Sequence, residues 1–267
     1  MTVTTHRPTP ERASAPGRTP MSPMRKAALI SGLAYIASFV FSIPVKFGLW
    51  TDVLDNPDFI LGAGSDAGVP LGAGFEILTG LSGIVSAVAL YTIAKRYSHR
   101  AALGFVTTRL LEAAVIFMGV LSIMSVYTLR QDVAGTPGAD TGALLTTGHA
   151  LVAMHDWAFL FGPGLMAVLN ALLIGSVMYR SRLLPRWIPT LGLIGGPLLL
   201  VSTTATLFGL WDQVSAPAAV LTLPLAVWEF SFGVYMTFWG FKPTAVSEAA
   251  YAPVNAAIDA PMVGGTR

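Results

Sequence analysis

The ionisable residues set inside apolar stretches are where this sequence concentrates its chemistry. Arg109 and Glu112 stand three apart, a spacing that places both on one face of a helix and lets them form an ion pair. Glu76 and Glu229 stand alone among apolar neighbours, and Asn170 is a deep neutral counterpart. His149 and then His155-Asp156-Trp157 lead into a Gly162-Pro163-Gly164 interruption, where Pro removes a backbone donor and is expected to kink a helix. Carboxylates and imidazoles in such places serve proton relay, solute binding or acid–base catalysis. His149 and Asp156, seven apart, share a helical face, whereas His155 points about 100° away from Asp156, so the three do not address one point.

Other chemistries lack their residues. Neither Glu-x-x-His nor His-Glu-x-x-His occurs, so no metal ligand set is expected. The absence of cysteine removes disulfides, thiolate metal sites and redox pairs, and there is no P-loop or Gly-x-Ser-x-Gly elbow. The sequence names no catalytic residue and no cofactor. Its candidate polar site is Glu229, Asp156, His155, Glu76, Glu112 and Arg109.

Depth in the bilayer decides which of these matter, because an ionisable group at its centre costs roughly 2.5–3.5 kcal/mol on insertion scales and must be paired or face a cavity. Glu229 lies near the centre of its apolar block, which is bounded by Asp212 and Lys242. A lone carboxyl there is expected to be neutral unless Arg109 or a histidine reaches it. Arg109 is less determined, since Leu110 to Leu129 suffices to cross and would leave Arg109 to snorkel at the surface. Gly72, Glu76, Gly80, Gly83 and Ala87 share a face whose small residues admit a close neighbour, which turns Glu76 into the bundle.

The elements that carry these residues follow from composition. The chain is 54% hydrophobic and 11% charged, against about 25% charged in soluble domains. Its apolar residues form six blocks, near Ala27 to Trp50, Val69 to Ala94, Ala101 to Leu129, Leu151 to Tyr179, Trp187 to Leu210 and Pro217 to Phe241. Each is long enough to span about 30 Å as a helix, and their unbroken apolarity excludes strands. The expected fold is all-α: a polytopic six-helix transmembrane bundle, arranged as three hairpins, with kinked helices. It occupies residues 25–242, between disordered cytoplasmic tails at 1–24 and 243–267. Thr51 to Gly68 and Gln131 to Gly148 are the longest expected loops, with a re-entrant segment around Phe59 to Gly64.

Orientation comes from the basic residues, which gather in cytoplasmic loops. Arg18, Arg25, Lys26, Lys95, Arg96, Arg100, Arg180, Arg182, Arg186 and Lys242 all fall on one side, while Asp52, Asp55, Asp58, Asp66, Asp132, Asp140 and Asp212 crowd the other with only Lys46 and Arg130. Both termini are therefore expected in the cytoplasm of a bacterial inner-membrane protein. The basic residues form no nucleic-acid-binding stripe.

Several segments together resemble a bacterial membrane family known as domain of unknown function 4386. They are Arg25-Lys-Ala-Ala-Leu-Ile30, Asn56-Pro-Asp-Phe-Ile-Leu-Gly-Ala-Gly64, His155-Asp-Trp157 with Gly162-Pro-Gly164, Pro185-Arg-Trp-Ile-Pro189 and Gly192-Leu-Ile-Gly-Gly-Pro197. The resemblance spans about Arg25 to Phe241 and implies a multi-pass bacterial membrane protein; it supplies no activity, cofactor or catalytic residue.

The functional expectation is a small transporter or permease-like protein for a small molecule or ion, with an intramembrane acid as its titrating group. Its partners are the lipid bilayer and that solute, and no signal sets an oligomeric state. The alternatives are an intramembrane enzyme using His155 with Asp156 or Glu229 on a lipid-like substrate, and a non-catalytic membrane partner whose polar residues lock the bundle. An enzyme is the less favoured of these readings.

Overall fold

The computed structural model describes residues 21–133 and 136–244, so the expected tails fall almost wholly outside the described residues. Ser22 starts the first helix by accepting a hydrogen bond from Arg25 N at 3.3 Å, with Pro23 in the first turn where its missing N–H costs nothing. Helix α1 (Pro23–Pro44) runs into a wide π-helical turn, Val45–Leu49, and then a short α2 (Thr51–Asp55). After α3 (Val69–Ala94) and α4 (His99–Val133), α5 (Thr141–Phe159) passes through a second π-helical turn, Leu160–Met166, into α6 (Ala167–Ser181). The chain closes with α7 (Trp187–Leu207) and α8 (Ala216–Phe238). Six helical lengths are apolar and long enough to cross a membrane, with α5 and α6 forming one of them, and no strand occurs among the described residues.

Two expectations about the fourth span change. It begins at Thr141, ten residues before the expected Leu151, because Asp140 accepts from Ala143 N at 3.1 Å and caps a helix there. The hydroxyls of Thr146 and Thr147 return to the carbonyls of Gly142 and Ala143, so a polar stretch that looks like loop is helical. Gly162-Pro163-Gly164 does not break this span either. The wider π-helical turn takes up the proline and lets the helix continue.

The spans form a closed ring in chain order, since each packs on its sequence neighbours and α8 returns to α1. The hairpins are thus not separate units: α3 and α4 pair as extensively as α1 and α3. Glycine makes the ring's closest contacts. A Cβ on Gly32 would stand 2.4 Å from Thr237 Oγ1 and 2.6 Å from Thr237 N, and one on Gly195 would stand 2.6 Å from Leu225 N. Arg25 then clasps the seam, donating to the carbonyls of Met236 (2.8 Å) and Thr237 (2.6 Å) at the end of α8.

Arg130 organises the segment between α2 and α3. Its guanidinium donates to the carbonyls of Phe59, Ala63 and Gly64 at 2.7–2.8 Å and of Gly62 at 3.2 Å, and lies over the Phe59 ring. Gly62 and Gly64 adopt positive φ so that these carbonyls can converge. The expected re-entrant segment is therefore a short 3₁₀ turn, Phe59–Leu61, whose Phe59 and Ile60 are buried against the end of the bundle. Outward faces carry exposed apolar side chains such as Val40, Leu121, Val220 and Leu223, the surface that lipid solvates. The protein is a multi-pass, all-helical membrane protein.

The α1–α8 seam has no room for a side chain. Gly32→Val should lower the stability of the detergent-purified protein by about 1–3 kcal/mol, whereas Gly74→Ala, with open space at the Cβ, should melt like the parent. Equal thermal unfolding of all three proteins would contradict this packing.

Candidate functional site

The ring encloses a cavity of about 440 Å³ to which all six spans contribute. Its exposed lining residues, Ile43, Phe47 and Val214, lie toward the end of the bundle that carries the Asp-rich loops. At its inner limit stand Arg109, Glu112 and Glu229. Beyond them the bundle is solid: Leu90, Phe105, Ile174, Phe232 and Met236 are all buried in one apolar core.

Arg109 is only 7% exposed and does not snorkel. The 35 residues of α4 carry it well inside, one helical turn from Glu112. Arg109 Nη1 donates to Glu112 Oε2 at 3.0 Å, and Nη2 donates across the bundle to Glu229 Oε1 at 3.2 Å. Two acids from two helices thus hold one buried guanidinium. Arg109 reaches Glu229 from α4, so this carboxyl does not stand alone in its helix.

Neutral groups extend the network, although Arg109 Nε and the Tyr35 hydroxyl are buried without a hydrogen-bond partner among the described residues. Asn170 of α6, fully buried, donates to the same Glu112 Oε2 at 2.7 Å, and its own carbonyl oxygen accepts from the Thr108 hydroxyl at 2.5 Å. The Glu112 carboxylate, which only accepts, fixes which way the Asn170 amide points. The rings of Tyr35 and Phe105 lie 5.0 and 5.7 Å from the guanidinium carbon and supply a polarisable wall. Through Arg109, Glu112 and Asn170, α4, α6 and α8 meet at one point, with α1 packed over it.

The other sequence candidates divide. Glu76 and His155 line the same cavity. His155 is buried, edge-on to Trp50 at 5.5 Å between ring centroids, and Trp50 is in turn held by a bond from its Nε1 to Val69 O at 3.1 Å. Asp156 lies 3.2 Å from His155 Nδ1, but its side chain is 56% exposed and it is not part of the cavity wall. His149 is exposed and also stands apart. Among the described residues no group of three His, Asp or Glu side chains is placed to hold a metal ion.

Two contributors escape a reading of the sequence. Tyr35 carries no sign of its place beside Arg109. Lys46, counted as a loop residue, sits in the π-helical turn, lines the cavity and lies 5.2 Å from the Phe159 ring centre. Its position inside the first apolar block was the available signal.

The chain matches the family described as domain of unknown function (DUF4386) over residues 30–240. It belongs to that family. No curated protein and no solved structure matches it. The matched DUF4386 region runs from within α1 to just past α8, so the cavity and the Arg109 network lie within the family domain.

Glu112 depends on Asn170 as well as on Arg109. Asn170→Leu should cost about 1–3 kcal/mol in detergent unfolding, through the lost charge-assisted bond to Glu112; the Thr108 hydroxyl keeps the Gly104 and Phe105 carbonyls as acceptors. Asn170→Asp should cost more, because it sets a further carboxylate against Glu112. An Asn170→Asp protein as stable as the parent would show that this bond is unimportant.

Proposed function

We propose that this protein is a small permease-like membrane protein that admits a small solute from outside the cell into the cavity, with Glu229 as the acid that exchanges a proton. One observation carries the reading: a cavity open at one end of the bundle runs inward to a buried, charge-paired Arg109–Glu229 site and is closed beyond it by packed side chains. Access from one side to a buried polar site, with the opposite end shut, is the geometry of one state of an alternating-access carrier. Its lining is largely apolar, with a few convergent polar groups, as in small-molecule sites.

The distribution of Lys and Arg supports placing the mouth outside. Arg25, Lys95, Arg180 and Lys242 belong to the opposite, closed end, which on this reading faces the cytoplasm together with both termini of an inner-membrane protein. Glu229 suits the proton role because it is held by a single bond to Arg109 and is 20% exposed, whereas Glu112 also accepts from Asn170 and is more enclosed. Glu229→Gln keeps a hydrogen-bonding group there and should preserve the fold while removing any proton-dependent activity.

An enzyme built on His155 is less well supported. The imidazole has a carboxylate partner at 3.2 Å, but Asp156 lies outside the cavity wall, where it could orient the ring and not face a substrate itself.

The chain has no cysteine, so single introduced thiols report access directly. In intact cells a membrane-impermeant thiol reagent should label Thr222→Cys, in the cavity wall, and should leave Ser98→Cys, in the basic loop between α3 and α4, unlabelled until the cells are opened. Labelling of Ser98→Cys from outside would overturn the orientation. An unreactive Thr222→Cys on both sides of the membrane would overturn the cavity as a solute path.

A further inference from the structure

Each charged or titratable side chain around the cavity can be assigned to the element that brings it. The α1 helix and its π-helical turn supply Tyr35 and Lys46, α3 supplies Glu76, α4 supplies Arg109 and Glu112, α5 supplies His155, and α8 supplies Glu229. The α7 helix adds only the hydroxyls of Ser202, Thr203 and Thr206. Three carboxylates therefore face two fixed cations, while His155 has Asp156 as its own partner at 3.2 Å. Near water one unmatched charge would matter little. Inside an apolar bundle an uncompensated carboxylate is costly, and either a proton or a cation must neutralise it.

The two fixed cations are already engaged. Arg109 is divided between Glu112 and Glu229, and Lys46 lies over the Phe159 ring and is the cation that acts on Glu76. The cavity is also the wrong place for a bare hydrated ion, because Phe39, Ile43, Ile116, Leu199 and Leu225 form much of its wall and Trp50 lines it near the mouth. An apolar body with a cationic head matches both features: the wall buries the body, and the carboxylates and aromatic faces favour the charge.

We infer that the cavity selects an organic cation with an apolar body, and that binding of this cation displaces one proton from the carboxylate set. This deepens, and rests on, the reading of the cavity as a solute site. Charge is conserved in the exchange: one positive charge enters, one proton leaves to solvent, and the occupied and empty cavities carry the same net charge. The same exchange would couple uptake or release of the cation to the proton gradient.

Three probes of similar shape separate charge from size: phenyltrimethylammonium, the neutral tert-butylbenzene and the anionic benzenesulfonate. They would be titrated into the purified full-length protein in detergent, following tryptophan fluorescence and calorimetric heat, with a pH-indicating dye in weak buffer. Phenyltrimethylammonium should bind roughly tenfold or more tightly than either other probe and release about one proton per molecule bound. Glu229→Gln removes the proton-exchanging acid while keeping a hydrogen-bonding group beside Arg109, and it equalises the fixed charges, so it should abolish the proton release and most of the preference. Equal binding of the three probes, or a preference for benzenesulfonate, would overturn the inference while leaving the cavity a solute site. Cation binding without proton release, in the parent protein, would overturn the exchange. Failure of all three probes overturns the inference if Thr222→Cys is reactive, and overturns the solute-site reading as well if it is not.

Discussion

A guanidinium enclosed by helices in an apolar medium admits few arrangements. Its charge cannot be removed by deprotonation, and its hydrogen bonds must be found inside the bundle. Here Glu112, one turn along the same helix, supplies one carboxylate, and Glu229, from the last span, supplies the other. That second bond is the consequential one, because it ties α4 to α8 across the interior of the ring. Asn170 then ties α6 to the same acid, and Tyr35 closes the set from α1. The polar centre specifies which helices meet where, in a medium where apolar packing alone distinguishes poorly between partners.

The cavity exists because this centre is compact and the helices above it are kept apart. Below it, the Gly32–Thr237 contact brings α1 and α8 nearly backbone to backbone. Above it, α1 and the fourth span each pass through a π-helical turn, and residues of both turns line the cavity: Lys46 from the first, Pro163 and Gly164 from the second. Wide turns of this kind re-aim the chain without ending it and are frequent at functional sites. Arg130, buried at the open end, holds the Phe59–Gly64 carbonyls and so fixes the cap beside the mouth.

Much of this was legible in the chain, for identifiable reasons. Six apolar blocks are a strong signal because the bilayer sets their length, and α3 was bounded to the residue at both ends. Arg109 and Glu112 can be paired from their spacing alone, and the flanking charges place Glu229 well within its helix. What the chain withholds is convergence across helices. No local pattern says that residue 229 meets residue 109, or that Asn170 turns to Glu112, because the distances that matter are between spans and not along them. The early start of α5 was hidden by Thr and Gly residues that resemble a loop, although Asp140 marks the cap. Lys46 and Arg130 serve in the sequence only as markers of topology, and each has a place inside the fold.

The dependence of the bundle on the Arg109–Glu229 bond is most directly measured by a double-mutant cycle of Arg109→Gln, Glu229→Gln and the double variant, unfolded in detergent. Arg109→Gln strands two carboxylates and should cost about 3–5 kcal/mol; Glu229→Gln, which leaves Glu112 in place, should cost less. The double variant should be more stable than the sum of the single losses predicts, by about 1 kcal/mol or more. Strictly additive losses, with Arg109→Gln as stable as the parent, would contradict the claim that this ion pair organises the bundle.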